Sequence, residues 1–368
     1  MSDCNSAFLA ACFRGDPACA AAQLREPAWN WEHLCRVAAD EGLLPALGGR
    51  LANSPVEAVL PADVAGFLAG VAALNLERNQ AIGRELECAV SLLNEAGIEP
   101  VLLKGVAYLA ASVYPDPAAR YLTDIDLLVP AERMAAAVEI LAAHRFERDE
   151  RDAFGDFRHH HAPLHRTGSP DIELHHALGL DRWQRLLSAA EVIARAAPHR
   201  LGALRVRIPC PEHLLVHLIA HSQLQNSYNE RVWPPLRAMV DLVLLDRRFG
   251  ADLRWDRVAA RFAAAGHSIL FALHLLQVQS SLGFAPPVPL TLGPLTRFRW
   301  ARRQLLRRRP ALRYVDPVFM FSTVLGRRLA FLRTLLRTRK GIRRLLSQIA
   351  APGHYQRVWR NLIEGRGR

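Results

Sequence analysis

The chain has 368 residues, 51% of them hydrophobic and 22% charged, with a formal net charge of +12. Enough apolar surface exists to build a core, which excludes a largely disordered chain. An aromatic fraction of 7% beside abundant Ala, Leu and Arg argues for a mainly helical protein rather than a β-sandwich.

In chain order, residues from about Ala7 to Ala96 read as helices, with apolar spacing of three and four residues over Trp31–Leu47 and Val64–Leu93. Gly97 suits a left-handed helix end. The texture then changes. Ile98–Leu103 is a short apolar strand candidate, Lys104-Gly105 closes it, and Val106–Val113 restarts as a helix. Asp124–Val129 is a second strand candidate, and Pro130 opens a helix to about His144. Phe146–Arg148, Asp156–His161, Asp171–His175 and Leu204–Ile208 are further short strand candidates. From Pro211 the pattern is helical again, over Pro211–Gln223, Pro234–Phe249, Trp255–Ala265 and His267–Leu282. The expectation is an α+β fold: a small mixed β-sheet core flanked by N- and C-terminal helical regions. Its regions are N-terminal helices over 1–97, the α/β core over 98–210, helices over 211–296 and a basic helical tail over 297–368.

The charge is uneven along this layout. From Arg297 to Arg368 there are 20 basic residues against Asp316 and Glu364, whereas Met1–Thr296 carries 27 basic and 33 acidic residues. The tail therefore suits an anionic membrane surface, a nucleic acid or another acidic polymer. Leu325, Leu329, Leu332, Leu336, Ile342, Leu345 and Ile349 give it an apolar stripe decorated with arginines. An amphipathic basic helix of that kind lies on anionic lipid. Nucleic acid is the weaker reading, because interleaved aromatics for base stacking are missing. A final helix packed on the body with a solvated Arg face is the plain alternative. The six cysteines form no CxxC pair, the first residues lack a signal-peptide pattern, and no apolar run approaches the ~18 residues of a membrane span. The expected location is the cytoplasm, membrane-peripheral if the tail meets lipid.

Only two lysines, Lys104 and Lys340, stand against 45 arginines. Where Arg serves as the generic cation, a Lys in an apolar strand-like run points to a need for a compact ammonium. Asp124 and Asp126 are two residues apart, so a strand directs both carboxylates to one face, with Ile125 opposite. Two ionised carboxylates side by side repel, and a bound cation removes the conflict. Mg²⁺ fits, since it takes oxygen ligands and commonly uses carboxylates together with phosphate oxygens. Ordinary acids on an exposed edge strand would look the same. Three neighbours shift the balance. Lys104-Gly105 lies between a strand and a helix start, where phosphate is attracted. Arg120 could grip a phosphate or pair with Asp124 or Asp126. Glu173, flanked by apolar residues, offers a third metal ligand or a general base, and Asp171 on the same strand face is the alternative. The 15 histidines show no HExxH or Cys/His zinc spacing. His217 and His221 share a helix face.

Lys104-Gly105, Tyr114-Pro115, Arg120, Asp124-Ile125-Asp126-Leu127-Leu128-Val129 and Ile172-Glu173-Leu174-His175 together resemble the uncharacterised nucleotidyltransferase family of the polymerase-β-like superfamily. The resemblance runs from about Gly83 to Asp241 and takes in Pro211–Leu215, His217, His221 and Asp241 itself. It implies a minimal nucleotidyltransferase core and a metal-dependent in-line transfer of a nucleoside monophosphate to an unknown acceptor hydroxyl or side chain. The implied donor is a Mg²⁺-bound NTP such as ATP. Asp124, Asp126 and Glu173 match the catalytic, metal-binding acids. Lys104, Gly105, Arg120 and His175 are the residues expected at the nucleotide, with His175 and His221 lining the cleft. The superfamily's Gly-Ser turn is replaced by Lys104-Gly105, and the gap from Gly105 to Asp124 is longer than in minimal members. The alternative is a non-catalytic nucleotide- or partner-binding module, or a membrane-peripheral accessory protein acting through its basic tail. Retention of all three acids argues against a decayed site.

Overall fold

The computed structural model describes residues 2–14, 30–52, 54–148, 163–166, 168–179, 181–225, 235–290 and 292–309, together with positions 161 and 312. The expected strand at Asp156–His161 falls almost wholly outside the described residues. So do the apolar stripe from Leu325 to Ile349 and all but the first part of the basic tail.

The N-terminal region is helical: α1 (Ser2–Cys12), α2 (Trp31–Asp40), α3 (Leu44–Leu51) and the long α4 (Ala62–Glu95). The helical spacing over Trp31–Leu47 is carried by two helices, with Gly42 at φ +64° turning the chain between them. Asn30 caps α2 by accepting the His33 N–H, satisfying one of its orphan donors. Helix α1 packs on α2, with Phe8 edge-on to the Trp31 ring. Arg14 then donates to the carbonyls of Ser280 and Ser281, tying the first helix to the far end of the described chain.

The core alternates short strands and helices: β1 (Val101–Leu102), α5 (Lys104–Ala110), β2 (Asp124–Leu128), α6 (Met134–Ala143), β3 (Glu147–Arg148), β4 (Leu164–His165), β5 (Asp171–His175), α7 (Asp181–Gln184), α8 (Ala189–Arg195), β6 (Ala197–Leu201) and β7 (Leu204–Ile208). The sheet has seven strands in the order β3-β4-β5-β2-β1-β7-β6. Its β2–β5 and β1–β7 pairs are parallel and the others antiparallel, so the sheet is mixed as expected. Two strands were not legible in the sequence. Strand β6, Ala-Pro-His-Arg-Leu, lies at the edge of the sheet, where Pro is tolerated and no apolar alternation is needed. Strand β4 is only two residues long.

Helices α9 (Pro211–Ala220), α10 (Leu236–Phe249), α11 (Trp255–Ala264), α12 (Ser268–Leu282) and α13 (Pro294–Arg308) complete the described chain. Helix α9 runs into one π-helical turn over His221–Gln225. Buried apolar side chains form one continuous core from Phe8 to Leu282, so the helices before and after the sheet share a single interior with it. Ile125, Leu127 and Leu128 of β2 and Ile172 and Leu174 of β5 are fully buried at its centre.

One feature of α4 bears directly on the site. The segment between α5 and β2 runs over α4 with few strand or helix bonds of its own, so its carbonyls need outside donors. Asn75 donates to the carbonyls of Ala118 (2.7 Å) and Arg120 (3.1 Å). Asn79 donates to those of Pro117 (2.7 Å) and Arg120 (2.8 Å), and Arg78 to that of Leu122 (2.9 Å). One helix face thus sets the path of the chain into β2. Replacing Asn79 with Ala should cost about 1–3 kcal/mol, since the Pro117 carbonyl loses its donor and the Arg120 carbonyl keeps only Asn75. Thermal denaturation should give a lower Tm, and an unchanged Tm would mean that α4 does not hold this segment.

Candidate active site

The parallel register of β2 and β5 pairs Asp124 with Asp171, Asp126 with Glu173 and Leu128 with His175. Asp126 and Glu173 therefore stand abreast on one face, and His175 lies two residues further along that face. Ligand atoms of Asp126, Glu173 and His175 all lie within 4.8 Å of one another. Lys104 reaches them from the end of β1. Its Nζ is 2.6 Å from Asp126 Oδ1 and 3.4 Å from Glu173 Oε2. The His175 Nε2 lies 2.8 Å from the same Asp126 oxygen and 3.5 Å from Glu173 Oε2. Asp126 and His175 have side chains only 1% exposed, whereas Glu173 is 20% and Lys104 21% exposed.

The electrostatics follow from burial and proximity. Burial works against the charge on Lys104, but Asp126, Glu173 and Asp124 outweigh it and hold the ammonium charged. Burial likewise opposes charge on His175, while its bonds to Asp126 and Glu173 raise its pKa on balance. His217 is pushed down to about 3, first by burial and then by Lys104 and His175, so it stays neutral. Asp124 is pushed up to about 6 by burial and by the neighbouring Asp126 charge, against the pull of Lys104.

Asp124 faces a cleft of about 300 Å³ with Lys104, Gly105, Arg120, His217 and His221 among its walls. A Cβ at Gly105 would come within 2.4 Å of Leu122 Cδ2, so the Leu122 side chain in the segment leading to β2 would have to shift. The two helix histidines do share a face, their ring centroids 6.1 Å apart and both against Trp183. Helix α5 begins at Lys104, two residues before its expected start, and is seven residues long.

The structure brings together Lys104, Asp126, Glu173 and His175, and it sets Asp124 beside them on the cleft wall. Asp171 begins β5 as an exposed residue, in register with Asp124 and apart from the Lys104–Glu173 contact. Arg120 does not pair with Asp124 or Asp126, as one reading of its spacing had it. Its Nη2 is 3.1 Å from Asp241 Oδ2, its Nη1 donates to the Tyr121 carbonyl, and Tyr114 donates its hydroxyl to Asp241 Oδ1. Asp241 thus joins the cleft wall to α10. The family resemblance takes in Asp241, and it stands out as an acid inside the buried apolar run Met239–Leu245. Glu41 had no such signal; it accepts the Leu236 N–H and so caps α10 from the turn after α2.

The raised pKa of Asp124 has a thermodynamic consequence. The folded chain holds this proton more tightly than the unfolded one, so the group's contribution to stability falls as pH rises from about 4 to about 6 and stays unfavourable above. Asp124→Asn removes that penalty. The variant should be more stable than the wild type by about 1–3 kcal/mol at pH 7.5, allowing for the partial exposure of the group. The difference should vanish near pH 4. Chemical denaturation at both pH values measures it, and a destabilised variant at pH 7.5 would contradict this account.

The family described as uncharacterised nucleotidyltransferase matches residues 27–283. No curated protein matches the chain. Among solved structures, it is similar to the crystal structure of an antigenic nucleotidyltransferase-like protein from Paracoccidioides brasiliensis, with 16% identity and a TM-score of 0.36 over 55% of this chain and 93% of that one. The matched span runs from the helices that brace the cleft, through both acid-bearing strands, to the end of α12, and the chain belongs to the uncharacterised nucleotidyltransferase family.

Proposed function

We propose that this chain transfers a nucleoside monophosphate from a metal-bound NTP to an acceptor hydroxyl or side chain. The observation that carries the reading is the register of β2 with β5, which sets Asp126 against Glu173 beside a cleft walled by Asp124 and Lys104. The donor set fits a divalent cation. Its carboxylate oxygens suit Mg²⁺, and the ammonium of Lys104 already lies against two of the acids as a cation would. Asp124, Asp126 and Glu173 would hold the ion, with His175 orienting Asp126. A divalent ion bound there would neutralise phosphate charge and lower the pKa of the acceptor hydroxyl.

The chain's own groups do the rest. Glu173 is the carboxylate of the buried trio that remains partly open, so it is suited to receive the acceptor proton. The acceptor oxygen then forms a bond to the α-phosphorus as the α–β bridging bond breaks, and pyrophosphate leaves with the electron pair. Lys104 and Arg120, both on the cleft wall, would counter the charge that develops on the phosphates. His217, held neutral, adds no further positive charge to compete with a metal ion for the carboxylates. ATP is the donor to test first. Asp126→Asn should lower Mg²⁺-dependent release of pyrophosphate by about 100-fold or more, because a buried ligand is lost. Undiminished release in this variant would remove the assignment. Tight NTP binding without product, whatever the acceptor, would favour the binding-module alternative.

A peripheral membrane contact is supported by α13. Residues 294–309 contain seven Arg and no acid, and Leu295, Phe298 and Leu305 are 48%, 61% and 50% exposed along one stripe. Among the described residues no helix is long and apolar enough to cross a membrane. An apolar stripe flanked by arginines suits the surface of an anionic bilayer. Flotation with phosphatidylserine vesicles should carry the intact protein and lose it on Phe298→Glu. Absence of flotation by the wild type would end this reading.

A further inference from the structure

We infer that Lys104 is an exchangeable internal counter-ion: it neutralises Asp126 and Glu173 in the nucleotide-free protein and passes to the phosphates when the nucleotide binds. This deepens the reaction proposed above and rests on it. The consequence is that the metal binds weakly alone and tightly with the nucleotide.

Lys104 is one of only two lysines in the chain and sits at φ +47°, in the left-handed region that a residue with a Cβ rarely adopts. Backbone strain of this kind persists where surrounding structure enforces it, and it aims the side chain from the end of β1 toward β2 and β5. The ammonium lies between Asp126 and Glu173, at 2.6 and 3.4 Å. His175 approaches the same Asp126 oxygen at 2.8 Å, so that oxygen already accepts from two sides. Asp126 is 1% exposed and is not among the residues lining the cleft, whereas Asp124 and Lys104, which is bonded to Asp126, do line it. A divalent ion seeking both Asp124 and Asp126 therefore meets an ammonium first.

Charge decides the rest. An ammonium and a dication sharing one carboxylate repel each other strongly in a water-poor site. Phosphates in the cleft would offer the ammonium a second set of anionic oxygens. Its flexible four-carbon stem allows the move, whereas a planar guanidinium would lock onto one carboxylate geometry. Exchange of partners makes metal and nucleotide binding cooperative, and linkage requires the effect to be mutual.

The test uses the full-length protein and two ligands. Mn²⁺ is titrated alone, followed by electron paramagnetic resonance. A non-hydrolysable ATP analogue is then titrated at saturating Mn²⁺ by calorimetry. Lys104→Met should bind Mn²⁺ at least tenfold tighter than the wild type and the analogue at least tenfold more weakly. A residue needed only for structure would weaken both. Lys104→Arg, which keeps the charge, should retain the weak Mn²⁺ binding of the wild type. If Lys104→Met loses stability, Mn²⁺ should raise its Tm more than it raises that of the wild type. Unchanged or weaker Mn²⁺ binding by Lys104→Met, with Asp126-dependent pyrophosphate release intact in the wild type, overturns the role of Lys104 alone. Failure of every form to bind Mn²⁺ overturns the counter-ion role and the metal-dependent reaction together.

Discussion

Two carboxylates held abreast, one fully buried and one partly open, impose the central constraint on this protein. Parallel pairing of β2 with β5 sets Asp126 beside Glu173, and the apolar residues between and behind them are buried on the opposite face. Side by side, such a pair repels, and nearby cations offset the repulsion. The fold answers with Lys104 from the end of β1 and His175 from β5, both directed at the same Asp126 oxygen. The small sheet is thus a device for concentrating negative charge, and its neighbours supply the compensation.

The helices around the sheet place the wall of the cleft. Helix α4 holds the segment before β2 through Asn75, Arg78 and Asn79, each donating to backbone carbonyls. Helix α10 holds the same segment from the other side, through Asp241 to Arg120 and Tyr114. Breaking a buried ion pair of this kind leaves an uncompensated charge, typically a loss of about 3–5 kcal/mol. The pair therefore couples the position of Arg120 to the docking of α10. Glu41, from the turn between α2 and α3, caps α10 in turn. Elements far apart in sequence converge on one short loop, and a single continuous core from Phe8 to Leu282 makes that convergence rigid.

Much of this was readable from residue patterns. The helical periodicity of Val64–Leu93, the left-handed stop at Gly97, the strands at Asp124 and Asp171, and Leu204–Ile208 all appear where local spacing put them. The motifs carrying the family resemblance needed no tertiary information. Asp124 and Asp126 share a strand face by alternation alone, and an isolated Lys in an arginine-rich chain is conspicuous in composition. Strands β4 and β6 escaped notice because edge and two-residue strands carry no period, and the break at Gly42 interrupts a pattern that continues on both sides.

The partners of the charged groups lay outside the reach of sequence. Spacing offered Arg120 the acids nearest in the chain, yet it pairs with Asp241, 121 residues away. It offered Glu173 or Asp171 as the third acid, and strand register brought Glu173 against Asp126 and left Asp171 exposed at the strand end. It marked Lys104 as significant without indicating that its ammonium would meet carboxylates. Local periodicity specifies which face a side chain takes, because backbone geometry repeats over a few residues. Which charges meet across that face depends on register and helix docking. Those are settled by burying the whole core at once, and only the folded chain decides them.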